Sequence, residues 1–349
     1  MSLFFITGQI RSGTTLLGKL LGALPGVAGF DQPFPLLYVM LKRNYLKTRN
    51  APPGYIRYPL GDWTFERQYD WQDFLGWLQE FQITRDFAKD VLNEMKDYPG
   101  QMYRPDLSDE TLARITPANL KDFVTRALET GTGNGNKISA VKEVFCEEFI
   151  PYFLKQGTPC GYIVRDPRDV YVSLTQGGYK KHAGVARPIL WFARNWRASV
   201  RFALSQRENP RFHFIRFEDL VRDKEATARA IVKFLGMQSR QETFSQNLEK
   251  ELNQNWQGNS SFDHSVGNGP IGRYKKDLDT DSLQLIEALC RPEMVSVGYD
   301  TSIKAEHRRM IIENVIHQET LQRPELEYYL WTKDRRAEEI SRLDHETGG

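Results

Sequence analysis

The amino-acid sequence predicts an α/β protein, a doubly wound parallel sheet flanked by helices and carrying a helical insertion. Three observations support this. Short apolar runs alternate with amphipathic stretches at helical spacing. The first such run passes through a glycine-containing turn straight into a helix. At 349 residues the chain is long enough to enclose a large core as one unit. Aromatic residues make up 12% of it, which is apolar mass enough for an ordered globular enzyme and too much for a disordered segment.

Leu3 to Thr7 is a continuous apolar run ending at Gly8, the pattern of a strand buried on both faces. GQIRSGTT follows, then Leu16, Leu17, Leu20, Leu21 and Leu24 at helical spacing, with a stop at Pro25. Residues 34–130 read as the helical insertion. It is rich in Trp and Tyr, irregular around 51–61, and has a helix in LKDFVTRAL (Leu120 to Leu128) after Pro117. Its aromatics suit either a wall for an acceptor pocket or plain core helices.

Beyond the glycine-rich linker 131–135, a strand over 137–144 precedes a helix near 147–155, and Gly161 to Val164 is a third strand. Asp166 then caps a helix with Pro167 at its first position and Asp169 in its first turn. Ile189 to Ser205 reads as a long amphipathic helix, Arg211 to Phe217 as a fourth strand and Ala226 to Leu235 as a helix. Strands alternating with helices imply parallel pairing. The domain is expected to span 1–302, and 303–349 forms a charged, helix-prone extension in which no catalytic signal stands out.

Bulk properties narrow the function. A net charge of +2, from 47 basic and 45 acidic side chains, provides no global field for nucleic acid or an anionic membrane, so any anion site must be local. Cys146, Cys160 and Cys290 form no CxxC pair, which argues against a zinc site or a disulfide framework and fits a reducing compartment. The opening apolar run is too short for a signal peptide, and no stretch of 18 apolar residues occurs. A cytoplasmic protein is expected.

Gly8-x-x-x-x-Gly13-Thr14-Thr15 has the spacing of a phosphate-binding loop, in which backbone N–H groups wrap an anion at a helix N-terminus. This makes the expected sheet P-loop-like. A nucleoside-triphosphate loop would carry Lys at position 14 to reach the outer phosphates beside magnesium; here Thr14 stands there and Arg11 sits within the loop. That suits a nucleotide with no γ-phosphate and no required metal. A second anion site is suggested by Arg165 at a strand end and Ser173 eight residues on, inside the following helix. Two phosphate sites on adjacent strands fit a nucleotide phosphorylated at both 5′ and 3′ positions.

QIRSGTTLL resembles the 5′-phosphosulfate loop of the sulfotransferase family that uses 3′-phosphoadenosine 5′-phosphosulfate (PAPS), in the form with Arg in place of Lys. YIVRDPRDVYVS resembles its 3′-phosphate motif, with Arg165 and Ser173 in the binding positions. Phe217-Glu218-Asp219-Leu220 resembles a segment that closes a strand in the family, Gly272-Arg273-Tyr274-Lys275-Lys276 the segment that folds over the nucleotide, and Gly298-Tyr299 the usual domain end. Gly267-Asn268-Gly269 stands where the hormone-type branch has Arg-Lys-Gly, so the 3′-phosphate is left to Arg165, Ser173 and Arg273 or Lys275. The resemblance implies donor contacts from Arg11, Ser12, Gly13, Thr14 and Thr15, catalytic roles for Arg11, which stabilises charge on the bridging oxygen, and for Lys142, and PAP as product. It places an acidic base after the loop helix, at Asp31, with Gln32 beside it and Glu143, His182 and His264 as rivals. The acceptor is expected to be a small molecule offering a hydroxyl or amine. A kinase or other NTPase, and a binding module without chemistry, are the competing readings.

Overall fold

The computed structural model describes residues 2–51, 71–98, 103–129, 137–175, 188–237, 247, 271–314, 331 and 333–347. They fall into two compact units, one of residues 1–164 with 202–254 and the other of 165–201 with 255–349.

The first unit holds a five-stranded parallel sheet: β1 (Ser2–Gly8), β2 (Val27–Asp31), β3 (Ile138–Lys142), β4 (Cys160–Val164) and β5 (Phe212–Arg216), in spatial order β2-β3-β1-β4-β5. The connection from β1 runs toward β2 and that from β4 toward β5, so their carboxyl ends flank a topological switch point, where open α/β sheets bind ligands. Both faces of β1 are covered. Phe4 lies 6.0 Å from Phe234, whereas its neighbour Phe5 stacks at 4.3 Å on Phe153 and sits 5.7 Å from Tyr38. Successive strand residues point to opposite faces, so these contacts belong to opposite helical layers. Each ring buried this way contributes about 1.5–3 kcal/mol.

On the Phe4 side lie α1 (Thr14–Gly22), packed on β2 and β3, and α11 (Lys224–Phe234), packed on β5. On the Phe5 side lie α2 (Pro35–Thr48) and α7 (Ile150–Lys155). The insertion continues through α3 (Trp71–Glu80), α4 (Arg85–Met95), α5 (Asp109–Ile115) and α6 (Leu120–Glu129). Thr84 caps α4 and Ser108 caps α5, each accepting a backbone N–H three residues on. Tyr38, Tyr45 and Phe74 are fully buried here, so these insertion aromatics are core.

Two sequence expectations change. β2 was not anticipated: it is five residues long and holds Gly29 at its centre, which reads as a turn. That glycine is a packing device, because a Cβ there would stand 3.1 Å from the Gly22 Cα, closer than α1 and β2 can comfortably pack. Phe217-Glu218-Asp219-Leu220 does not close a strand; β5 ends at Arg216 and Phe217 opens α10 (Phe217–Arg222). Glu218 and Asp219 sit in its first turn, where carboxylates complement the helix dipole.

The second unit contains α8 (Pro167–Thr175), most of α9 (Ile189–Ser205), α12 (Tyr274–Asp277), α13 (Thr280–Ser296), α14 (Arg308–Asn314) and α15 (Lys333–Thr347). As expected, Asp166 caps α8, its Oδ1 accepting from Arg168 N at 3.0 Å. The C-terminal helix α15 is tied to α9 by a buried charge network. Glu339 accepts from Arg194 Nε at 2.8 Å and from Arg197 Nη1 at 2.9 Å. No helix among the described residues is long and apolar enough to cross a membrane.

Candidate active site

The loop between β1 and α1 is drawn tight. Ser12 donates both its N–H and its hydroxyl to Gln9 O, at 3.1 and 2.5 Å. Gly8 is needed where β1 meets the next strand, because a Cβ would stand 2.5 Å from Ile163 O. Gly13 has φ +92°, and a Cβ there would lie 2.2 Å from the Phe217 ring. Arg11 holds φ +67°, a left-handed conformation that costs a non-glycine residue about 1 kcal/mol or more and collects at ligand sites. Helix α1 starts at Thr14 with no side-chain cap and no acidic residue in its first turn. Its leading N–H groups and positive dipole end therefore suit an anion.

Beside this loop the β2–β3 register pairs Asp31 with Lys142. Lys142 Nζ forms an ion pair with Asp31 Oδ1 and donates to Gln32 Oε1 at 3.1 Å, and both charged side chains are buried. Gln32 N donates to Lys142 O at 2.7 Å, and Phe34 N to Glu143 Oε1 at 2.7 Å. Consecutive residues at the end of β3 thus hold the whole Asp31–Phe34 turn, including Gln32 at φ +46°. Asp31 Oδ2 has no hydrogen-bond partner among the described residues. Gly18 of α1 faces it: a Cβ there would come only to 3.9 Å from Asp31 Oδ2 and from Lys142 Cε.

Glu143, weighed as a rival base, is fully buried, with Oε2 unpartnered among the described residues. Burial pushes its carboxyl up to about 8, against the Phe34 N–H and Lys142, which favour the charged form. A raised carboxyl adds stability that is complete below its unfolded value, near 4.3, and is lost as pH climbs toward 8. Glu143→Gln keeps an acceptor for Phe34 N and is expected to abolish about one proton's worth of that slope. Urea titrations at pH 5 and pH 8.5 check this: the variant should gain on the wild type at the higher pH, and parallel curves would exclude Glu143 as the titrating group.

In the second unit, Arg165 and Ser173 are both buried, and Trp196 Nε1 donates to Arg165 O at 3.1 Å. Arg273 is ion-paired with Asp277 at 3.1 Å, and Lys275 is exposed. The structure therefore groups Arg11, Ser12, Gly13, Thr14, Thr15, Asp31 and Lys142 in the first unit, and Arg165, Ser173, Arg273 and Lys275 in the second. His182, His264 and Gly267-Asn268-Gly269 lie outside the described residues. In the sequence, Asp169 reads only as a helix-start residue. In the structure it accepts hydrogen bonds from Gly272 N and Tyr274 N, and no local pattern signals that role.

Residues 148–298, which include Arg165, Ser173 and the 272–276 segment, match the sulfotransferase domain family. The sulfotransferase domain of the olefin synthase of Synechococcus PCC 7002 is similar in structure, with a TM-score of 0.50 at 16% identity over 86% of this chain and 95% of that one. A sulfotransferase domain from the curacin biosynthetic pathway gives 0.49 at 16% identity, over 86% and 98%. A mouse sulfotransferase complexed with PAP gives 0.45 at 12% identity, over 90% and 89%. No curated protein matches the chain. The parallel sheet is the fold shared with the sulfotransferase domain of the olefin synthase. The match to the sulfotransferase domain family covers residues 148–298, less than half of the chain.

Proposed function

We propose that the chain transfers a sulfuryl group from PAPS to a hydroxyl or amine of a small-molecule acceptor. The observation carrying this reading is the uncapped start of α1, with Arg11 in a left-handed conformation immediately before it and no acidic residue to compete for the site. A doubly charged 5′-phosphosulfate fits that end through Gly13, Thr14, Thr15 and Arg11, while Ser12 holds the turn closed. Arg165 and Ser173 take the 3′-phosphate, with Arg273 or Lys275 from the following segment.

The bound donor supplies an electrophilic sulfuryl group on a phosphate leaving group. Sulfuryl transfer in line needs positioning and charge stabilisation more than covalent help from the protein. Arg11 and the hydroxyls of Thr14 and Thr15 hold the charge that grows on the bridging oxygen. Asp31 takes the acceptor's proton at Oδ2, and Lys142 keeps that carboxylate oriented through Oδ1. Cys146, Cys160 and Cys290 are buried free thiols, which supports a reducing, cytoplasmic setting.

Calorimetry tests the donor. PAP is expected to bind the wild type, and Arg11→Ala and Arg165→Ala should each weaken it by roughly 10- to 100-fold, since a hydrogen bond to a charged group contributes about 1.5–3 kcal/mol. Arg165→Ala should spare 5′-AMP, which lacks the 3′-phosphate. Unchanged PAP affinity in both variants removes the assignment.

A further inference from the structure

We propose that Asp169 is a positioning residue that pins residues 271–277 as a strap onto α8 and thereby sets the enzyme's affinity for the donor's 3′-phosphate. This rests on the 3′-phosphate reading above and adds the residue that preorganises the site.

The Asp169 side chain is 1% exposed, and each of its oxygens is committed to the strap main chain: Oδ2 accepts from Gly272 N at 2.6 Å and Oδ1 from Tyr274 N at 3.0 Å. Arg273 sits between the two pinned amides. Gly272 adopts φ +74°, which glycine takes without strain, so the chain can present both N–H groups to one carboxylate. The neighbouring residue provides a second anchor. The Arg168 guanidinium lies 4.0 Å from the centre of the Tyr274 ring.

Arg168 is itself immobilised. It forks onto Asp166 at 3.0 and 2.7 Å and reaches Glu287 Oε1 at 2.6 Å. Glu287 Oε2 in turn accepts from Ser302 N and Oγ, both at 2.7 Å, and from Ile303 N at 3.1 Å. The strap thus hangs from two consecutive residues in the first turn of α8, the helix that carries Ser173. Asp169 and Ser173 are four residues apart, hence on one face of that helix a turn from each other. A buried carboxylate that holds the strap amides and faces the charge of Arg165 fixes the 272–274 backbone at that turn of α8 before any ligand arrives, and affinity rises when ordering is completed in advance.

The sign of the effect is diagnostic. If Asp169 acted chiefly through its charge, neutralising it would favour a nearby phosphate and tighten PAP binding; if it acts as the anchor, neutralising it loosens binding. Asp169→Asn keeps the volume, but its amide nitrogen cannot accept an N–H. Calorimetry with PAP and with 5′-AMP is expected to show PAP weakened about tenfold and 5′-AMP within twofold. In assays the loss should fall on the donor KM rather than on kcat, and hydrogen exchange should quicken at the 272–274 amides. Tyr274→Leu, a change at a partly exposed ring, should give a smaller loss with the same preference for PAP, and it keeps the inference testable if Asp169→Asn folds poorly. PAP affinity that is unchanged or tighter in both variants, or an equal loss for 5′-AMP, overturns the proposal. Arg165→Ala run in parallel separates the two levels. If it distinguishes PAP from 5′-AMP while the strap variants do not, the strap inference alone fails; if it does not distinguish them, the phosphate assignment fails.

Discussion

Asp31→Asn is expected to lower kcat about a hundredfold or more while leaving PAP affinity within twofold of wild type. A positioned general base typically contributes 10²- to 10⁴-fold. Asp31 ends β2, its Oδ1 is held by the buried Lys142 ammonium, and its Oδ2 has no partner among the described residues, opposite the side-chain-free Gly18 of α1. Asn preserves the volume and an oxygen for Lys142 but cannot take a proton. Asp31→Ala should also lose turnover, at least tenfold, but it would strand the Lys142 charge in the interior. Breaking a buried pair costs roughly 3–5 kcal/mol, so a fall in activity there would be confounded with unfolding. Turnover is followed with labelled donor and PAP binding by calorimetry on the same protein. Near-normal turnover in the Asn variant would take Asp31 out of the mechanism and bring Glu143 forward.

The second large effect concerns stability. Glu339→Ala is expected to cost about 3–5 kcal/mol, because it removes the buried carboxylate that Arg197 and Arg194 share, leaving Arg194 its second partner Glu338 at 2.9 Å. Burial alone would push the Glu339 carboxyl up, but the charges of Arg197, Arg194 and Arg342 more than offset this and hold it well below the usual carboxylate range. Its contribution is therefore complete above about pH 4.3 and is lost as pH falls below that. Guanidinium titrations at pH 7 should show the loss in Glu339→Ala, and wild type and variant should converge on acidification. A difference under 1 kcal/mol at pH 7 would mean that α15 is dispensable to the second unit.

Much of the fold was legible in the chain because its signals are local. The apolar run Leu3 to Thr7, the glycine loop and the leucines of α1 lie side by side, and so do the cap and proline that open α8. Ile189 to Ser205 declared itself by period. β2 was hidden because its central glycine, required for the approach of α1, looks like a turn. The Phe217 segment was misassigned because its apolar opening continues the β5 pattern while its acidic pair serves a helix start.

The site divides along the same line. Arg11 to Thr15, Arg165 and Ser173, to which the proposed function gives the donor's phosphates, could be singled out from motif and order along the chain, since such loops carry their own spacing. Nothing local announces that Lys142 meets Asp31, that Glu143 is buried behind them, that Asp169 holds Gly272 and Tyr274, or that Glu339 neutralises Arg194 and Arg197. Those pairings depend on strand register and helix packing across 100 residues or more of sequence. The sequence by itself determined the class of fold and the loops proposed to hold an anion, because backbone conformation and helix dipoles follow from nearby residues. Only the tertiary structure decided which charges are buried and against what, because desolvation and pairing energies depend on neighbours that the chain order does not specify.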